Sequence, residues 1–248
     1  MKKIGNNFDV YTNTDEARNW YDRALKPLDK DENVFIMRYI LDKDASLLDS
    51  GCGAGRIAFN LEQIGFSNVS GFDFSESMIA AAEAARPLGS KVNFCVTDAS
   101  VMANYKDMSF TYLLYLQQLI SLIPFNKVGQ LLSNAYRVAK PGGFVLFSAL
   151  NIQGRPINNL LSSVFNLSRL LWREPVNKQM LPWLKYGSCI NWKFLGAGQS
   201  TCYWFYKDEL EMLLKNAGFD VLEITTTKKI LNRTKGPEGN LYAACIKK

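Results

Sequence analysis

Leu47-Leu48-Asp49-Ser50-Gly51-Cys52-Gly53-Ala54-Gly55-Arg56 decides the fold of this chain, because an apolar strand ends in an acid and runs directly into three alternating glycines. A strand, a glycine-rich turn and a helix in succession set bare N–H groups and a helix N-terminus against a ligand, with no Cβ to hold it away. Such a backbone is shaped to receive a nucleotide. A second acid, Asp73, closes the next apolar strand, Val69-Ser70-Gly71-Phe72-Asp73, 22 residues after Gly51. A carboxylate at a strand end at that distance accepts hydrogen bonds from both hydroxyls of a ribose.

The spacing is Gly-x-Gly-x-Gly rather than the Gly-x-Gly-x-x-Gly of dinucleotide folds, which disfavours a nicotinamide dehydrogenase. With its acid two residues before the first glycine, the stretch resembles motif I of the class I S-adenosylmethionine-dependent methyltransferases. Asp73-Phe74-Ser75-Glu76-Ser77-Met78 resembles that family's ribose and adenine segment, and Val92-Asn93-Phe94-Cys95-Val96-Thr97-Asp98-Ala99 its third strand. Ala135-Tyr136-Arg137-Val138-Ala139-Lys140-Pro141-Gly142-Gly143 is similar to its helix and Pro-Gly-Gly turn before strand five. The resemblance is strong over residues 45–150 and topological over 205–248. It implies S-adenosylmethionine as cofactor. Asp49 would then bind near the methionine ammonium or brace the turn, and Gly51, Gly53 and Gly55 would let the backbone approach. Asp73 would take the ribose, Phe74 and Met78 would flank adenine, and Asp98 would accept from its amino group beside Ala99. Leu116 and Tyr21 complete the implied cofactor set.

The chain has 248 residues, enough for one domain with a full core, and no internal repeat or low-complexity tract. The N-terminal Ile4-Gly5-Asn6-Asn7-Phe8-Asp9 is not an apolar signal core and no segment reads as a membrane span, so a cytoplasmic protein with no membrane partner is expected. Five scattered cysteines, without a Cys-x-x-Cys pair, and no histidine at all argue against zinc and against disulfides, so no metal site is expected. Cys52, inside the glycine turn and without a neighbouring histidine, reads as a small buried residue rather than a nucleophile. The net charge is +6, and residues 151–206 hold six basic groups against one acidic. That balance is modest for a nucleic-acid enzyme, and Leu116 to Leu119 lacks the Asp/Asn-Pro-Pro-aromatic segment that grips a flipped base. No nucleic-acid partner is expected.

From Ser46 onward apolar strands alternate with amphipathic helices: strands near 46–50, 69–73, 92–96, 111–116 and 144–149, helices near 55–64, 76–86 and 126–139. This alternation specifies a parallel sheet covered on both faces, with its ligand at the carboxyl edge. A helix from Lys207, a strand near 218–227 and a last strand near 241–247 match the way the resembled family completes a seven-stranded, mostly parallel sheet whose last strand is antiparallel. The expected α/β domain therefore divides into an N-terminal helical cap (1–45), a cofactor-binding core (46–150), a substrate-side insert (151–206) and a C-terminal completion of the sheet (207–248). In the cap, Asn13-Thr14-Asp15-Glu16 offers a helix start, and Tyr11, Trp20 and Tyr21 are candidate lid aromatics. The helix around Glu32 to Leu41 carries a core-facing stripe (Phe35, Ile36, Tyr39, Ile40) and is assigned no chemistry.

The insert holds four of the five tryptophans, Trp172, Trp183, Trp192 and Trp204. A helix is expected behind Arg155-Pro156, with Ile157, Leu160, Leu161, Val164, Phe165, Ser168 and Leu171 as an apolar stripe packed on the sheet edge, a lid, a dimer contact or a membrane surface being the alternatives. Methyl transfer from a sulfonium needs a nucleophile held in line, and a base only where the nucleophile must lose a proton. With no histidine and a basic aromatic insert, the expected reaction is O-methylation of a carboxylate on an acidic small molecule or peptide, of the natural-product tailoring type. Arg155, Arg169, Arg173, Lys178, Lys185 or Lys193 would steer the acid. Substrate contacts are expected from Tyr11, Arg155, Arg173, Tyr203 and Trp204, and Gln117 and Tyr203 are positioning candidates. N- or hydroxyl O-methylation, and a catalytically inactive binding subunit, stay open as alternatives.

Overall fold

The structure is a computed structural model of the chain and describes Tyr21 and residues 24–171, 176–182, 185–186, 189–190 and 201–248. Helix α1 (Lys30–Tyr39) precedes β1 (Leu47–Ser50), α2 (Arg56–Gln63), β2 (Val69–Asp73), α3 (Glu76–Ala84), β3 (Asn93–Val96) and β4 (Phe110–Tyr115). A short α4 (Leu119–Leu122), then α5 (Phe125–Val138) and β5 (Ala139–Ala149), lead into the insert. There α6 (Ile157–Leu171) is followed by the two-residue strands β6 (Met180–Leu181), β7 (Lys185–Tyr186), β8 (Cys189–Ile190) and β9 (Cys202–Tyr203). The chain closes with α7 (Lys207–Asn216), β10 (Phe219–Thr226), α8 (Thr227–Ile230) and β11 (Leu241–Lys247).

The main sheet has seven strands in the order β10-β11-β5-β4-β1-β2-β3, with β11 antiparallel to both neighbours and β1 parallel to β2 and β4. Successive side chains of a strand point to opposite faces, so each strand feeds two cores. Leu48, Leu113, Tyr115, Val145 and Phe147 meet Leu131 and Leu132 of α5 and Leu210 and Leu214 of α7 on one face. Leu47, Tyr112, Leu114 and Leu146 meet Phe35 and Ile36 of α1 and Ile57 and Leu61 of α2 on the other. Val128, Leu131, Leu132, Ala135 and Val138 of α5 are all buried, a helical face whose large members each stabilise the fold by roughly 1.5–3 kcal/mol. No described helix is long and apolar enough to cross a membrane.

Two expectations need correction. The Pro-Gly-Gly segment does not precede strand five but lies inside it: β4 advances from Phe110 to Tyr112 while β5 advances from Ala139 to Phe144. Pro141 has no N–H for the ladder, and Gly142 turns left-handed at φ 76°, so the surplus residues bulge outward. The second correction concerns the phase of α6. Leu161 and Phe165 pack inward, but so do Asn158, Ser162, Asn166 and Arg169, whereas Leu160, Val164, Leu167, Leu170 and Leu171 are exposed.

The reason is hydrogen bonding. Asn166 donates through Nδ2 to Ser162 O (2.9 Å), and its Oδ1 accepts from Asn177 N (2.9 Å) and Arg169 Nη1 (3.3 Å). Ser162 Oγ donates to Lys178 O at 3.0 Å and Asn158 Nδ2 to Asn151 O at 3.3 Å. These polar side chains satisfy the backbone of the insert and so claim the inner face. Asn166→Ala is accordingly expected to cost about 1–3 kcal/mol in urea unfolding, by removing the acceptor of Asn177 N and one of the partners of the buried Arg169 guanidinium, whereas Leu167→Gln should stay within about 0.5 kcal/mol. The opposite ranking would restore the apolar-stripe packing.

Candidate functional site

At the carboxyl end of β1 the backbone takes three left-handed turns, at Gly51 (φ 67°), Gly53 (φ 52°) and Gly55 (φ 84°). A Cβ on Gly51 would lie 2.8 Å from the Leu119 side chain, and one on Gly55 would lie 2.8 Å from the rings of Phe59 and Phe94. Glycine is required there on both counts, conformation and space. The start of α2 follows at once, with no side-chain cap at Gly55. Asp49, 2% exposed, supplies a remote brace instead, its Oδ2 accepting from Ala58 N at 3.2 Å.

Asp73 ends β2 and spans the gap to the glycine turn, with Oδ2 accepting from Gly53 N (3.0 Å) and Oδ1 from Ser75 N (3.0 Å). It is not the helix cap; Ser75 is, accepting from Met78 N through its hydroxyl. Phe74 is half-buried beside it and Met78 is buried. Asp98 lies beyond β3, where it accepts from Ser100 N and Oγ, both at 2.7 Å, and faces Lys127 Nζ at 3.6 Å. Ala99 next to it is buried in the main core. Burial works against ionisation of Asp98, but Ser100 and Lys127 outweigh it and hold the carboxyl below its usual range. Cys52 is driven the other way by burial and by Asp49 and Asp73, so its thiol stays protonated.

Two side chains to which the sequence assigns no role, Glu32 and Arg56, complete the β1–β4 side together with the expected Gln117. Glu32 of α1, 2% exposed, accepts from Arg56 Nη2 at 2.8 Å, from Asp29 N at 3.1 Å and from Gln117 Nε2. Arg56, the residue after the last glycine, also donates to Pro27 O at 3.2 Å. The helix assigned no chemistry is therefore tied to the site. Glu32 does stand three residues after Asp29, which reads as a capping box, but nothing local announces a partner 24 residues away. Gln117 and Gln118 are left-handed, at φ 53° and 59°, a strained arrangement for non-glycine residues that costs about 1–2 kcal/mol each. It is held by Gln118 N donating to Ser148 Oγ at 2.9 Å and by buried Leu116 before it.

The structure thus brings Asp49, Gly51, Gly53, Gly55, Asp73, Leu116 and Gln117 to one sheet edge, with Asp98 after the next strand. Other expected residues have different surroundings. Tyr21 is 46% exposed, and its carbonyl accepts from Ala24 N at 3.0 Å. The Tyr203 phenol donates to Glu209 Oε1 at 2.6 Å, and its ring stacks on Phe125 with centroids 4.0 Å apart. Trp204 Nε1 donates to Leu181 O at 3.3 Å within the insert's own core. Arg169 is buried over the Phe165 ring, and half-buried Arg155 lies two residues ahead of α6. Tyr11, Trp20, Trp172, Arg173, Trp183, Trp192 and Lys193, and the side chain of Lys185, lie outside the described residues.

A nucleoside-bearing cofactor fits what is present, namely a left-handed glycine turn at the carboxyl end of β1 and a carboxylate at the end of the adjacent strand. The acid cluster also has a thermodynamic consequence. Burial pushes the Asp49 carboxyl up to about 7, against the pull of Arg56 and the Ala58 N–H and with the push of Glu32 and Asp73. An acid whose folded pKa is raised holds its proton in the folded state after the unfolded chain has lost it, so stability falls as pH climbs from about 4 to about 7. Asp49→Asn should flatten that decline in thermal unfolding measured between pH 5 and 7. An unchanged pH dependence would mean that Asp49 is ionised throughout.

Comparison with known proteins agrees with this geometry. Residues 47–143 match the family described as "Methyltransferase domain". The chain is 26% identical over 172 residues to a ubiquinone biosynthesis O-methyltransferase of Hydrogenovibrio crunogenus, covering 67% of this chain and 66% of the relative. It is 29% identical over 118 residues to the malonyl-[acyl-carrier protein] O-methyltransferase of Buchnera aphidicola subsp. Baizongia pistaciae, covering 48% and 44%. It therefore spans somewhat under two thirds of the first relative and less than half of the second. A crystal structure of a SAM-dependent methyltransferase from Methanosarcina mazei superposes with a TM-score of 0.66 at 23% identity, over 89% of this chain and 98% of that one. The strand order and the domain match coincide: residues 47–143 form a methyltransferase domain, set in the fold of the class I S-adenosylmethionine-dependent methyltransferases.

Proposed function

We propose that this chain transfers a methyl group from S-adenosylmethionine to a carboxylate oxygen of an acidic small molecule or a peptide. One observation carries the reading: among the described residues, none at the carboxyl edge is poised to take a proton. The chain contains no histidine. The described acids and the nearest buried phenol are engaged within the protein, Asp49 with Ala58, Asp73 with Gly53 and Ser75, Asp98 with Ser100 and Lys127, Glu32 with Arg56 and Gln117, Tyr203 with Glu209. An acceptor that arrives as an anion requires no base.

The bound cofactor would supply an electrophilic methyl on a sulfonium, and its transfer to a carboxylate oxygen, with the C–O bond formed as the C–S bond breaks, would need no proton to move. The protein's part is placement, which for a well-oriented pair removes on the order of 7–11 kcal/mol of barrier. Gly51, Gly53 and Gly55 admit the cofactor to the backbone, Asp73 fixes the ribose, and Phe74, Met78 and Asp98 hold the adenine. Residues 151–206 carry six basic groups against one acid, an excess that supports an anionic acceptor. The malonyl-[acyl-carrier protein] relative, an O-methyltransferase named for an acidic acyl group, supports the same acceptor class. Free Cys52, Cys95 and Cys245 suit a reducing cytoplasm. The ubiquinone biosynthesis relatives favour a second reading, hydroxyl O-methylation, which needs a base recruited from a residue outside those named above.

Incubation of the protein with methyl-labelled cofactor and an extract of its own organism, followed by mild base, separates the two. Volatile labelled methanol is the expected result. Transferred label that resists base would overturn the carboxylate reading in favour of ether or amine products.

A further inference from the structure

The cofactor residues Asp49, Asp73 and Asp98 lie at or just beyond the ends of β1, β2 and β3, which leaves β4, β5, β11 and β10, in that order, as the acceptor half of the sheet. The link from β10 to β11 stands on the carboxyl edge of this half. Thr226 pairs with Leu241, and Leu241 pairs with Ala149 at the end of β5. Phe147 pairs with Tyr115, so Ala149 stands about level with Gln117 after β4. The link is residues 227–240, and it carries four basic groups, Lys228, Lys229, Arg233 and Lys235, against the single acid Glu238.

This loop is fastened at its base. Thr227 N donates to Asn240 O at 3.1 Å, Lys228 N to Glu238 O at 3.0 Å and Arg233 N to Lys228 O at 3.0 Å. Gly239 N donates to Gly154 O at 3.0 Å, and a Cβ on Gly154 would fall 2.5 Å from Gly239 O, so the loop rests backbone to backbone on the start of the insert, beside Arg155. Thr227 Oγ1 ties it to Asp31 of α1 at 3.0 Å. Glu238 is used up inside the loop, accepting from Thr226 Oγ1 at 2.8 Å and from Lys228 Nζ at 3.1 Å. Lys229, Arg233 and Lys235 are exposed and form no ion pair among the described residues. Three cations are thus held over the acceptor half with no acid of the protein to neutralise them, a field that draws in anions.

The chemistry of the loop selects the kind of anion. Residues 227–240 contain no aromatic side chain on which a base could stack, and their aliphatic side chains Ile230 and Leu231 are buried and half-buried, so neither a nucleic acid nor a bilayer finds its usual apolar contact there. Two to three strand spacings of ~4.8 Å separate β4 from the loop, a gap of about 10–14 Å. A small acid seated at the end of β4 does not reach across it, whereas roughly three to four residues of extended polypeptide do. We infer that the loop from Lys228 to Lys235 docks an acidic stretch of a peptide whose acceptor carboxylate is presented at the end of β4. The inference rests on the carboxylate reading above and selects the peptide from its two acceptor classes.

The test is a binding measurement that reads no methyl transfer. Fluorescence anisotropy of a labelled octaglutamate peptide would be followed against the full chain at low ionic strength, with an uncharged Gly-Ser peptide as reference. The wild type should bind octaglutamate in preference to the reference. The combined variant Lys229→Gln, Arg233→Gln and Lys235→Gln should weaken that binding by about tenfold, the scale of three exposed charge contacts. A charge-matched variant, Lys91→Gln with Lys106→Gln and Lys140→Gln, changes exposed lysines ahead of or at the starts of β3, β4 and β5, on the opposite edge of the sheet, and should weaken it less than about twofold. Equal losses in the two variants would reduce the effect to net charge and overturn the inference, as would a wild type that does not distinguish the two peptides. Tighter binding of phosphatidylglycerol vesicles or of a single-stranded oligonucleotide, lost in the loop variant, would overturn it by giving the loop to lipid or nucleic acid. Octaglutamate binding together with base-stable label would keep the loop as a docking site and overturn the carboxylate reading; released methanol without octaglutamate binding would do the reverse.

Discussion

Leu119 and Phe94 occupy the space where a Cβ on Gly51, Gly55 or Gly71 would stand, and this close approach governs the architecture of the carboxyl edge. Gly71 lies in the middle of β2 without any backbone need to be glycine, yet a Cβ there would come within 2.9 Å of the Phe94 ring and 3.1 Å of Cys52 Cβ. The turn after β1 sinks against β2, Cys52 N bonds Phe72 O at 2.8 Å, and Asp73 reaches back to Gly53. A bulkier β2 would lift the turn and separate the acid from the amides. The cofactor cradle is in that sense a packing solution before it is a binding site.

Around the cradle, electrostatics is arranged at some cost. Glu32 and Arg56 form a buried ion pair at 2.8 Å, with side chains 2% and 10% exposed. Such pairs add little net stability because desolvation offsets the attraction, while loss of one partner costs about 3–5 kcal/mol. What the pair supplies is registry: it locks α1 onto α2 beside the glycine turn and, through Gln117, onto the end of β4. Burial raises the pKa of Glu32, Asp49 and Asp73 alike, so this corner holds charge reluctantly.

Much of this was legible in the amino-acid sequence, and the exceptions have a common cause. Strands β1, β2, β4 and β11 read clearly because burial on both faces leaves apolar runs, and three spaced glycines after an acid have few other uses. The phase of α6 did not read, because an inner face built from Asn158, Ser162, Asn166 and Arg169 looks like a solvated one until its hydrogen bonds are seen. Glu32 did not read because its partners are distant in the chain and its own helix shows an ordinary apolar stripe. Tyr203 and Trp204 stood out as aromatics at the right place in the topology, while their polar ends are taken by Glu209 and Leu181. Pattern exposes what repeats locally; a polar group satisfied across the fold leaves no local trace.

The position of β11 bears on how the molecule is made. Leu241–Lys247 inserts between β5 and β10, pairing antiparallel with both, so the most C-terminal strand is an interior one. During synthesis every other strand of the sheet leaves the ribosome while that slot is open. The facing edges of β5 and β10 then carry unpaired N–H and C=O groups, which invite strands from other chains. Messages cut short before residue 241 would encode a complete glycine cradle on a sheet with two raw edges, a species prone to aggregate rather than a smaller enzyme.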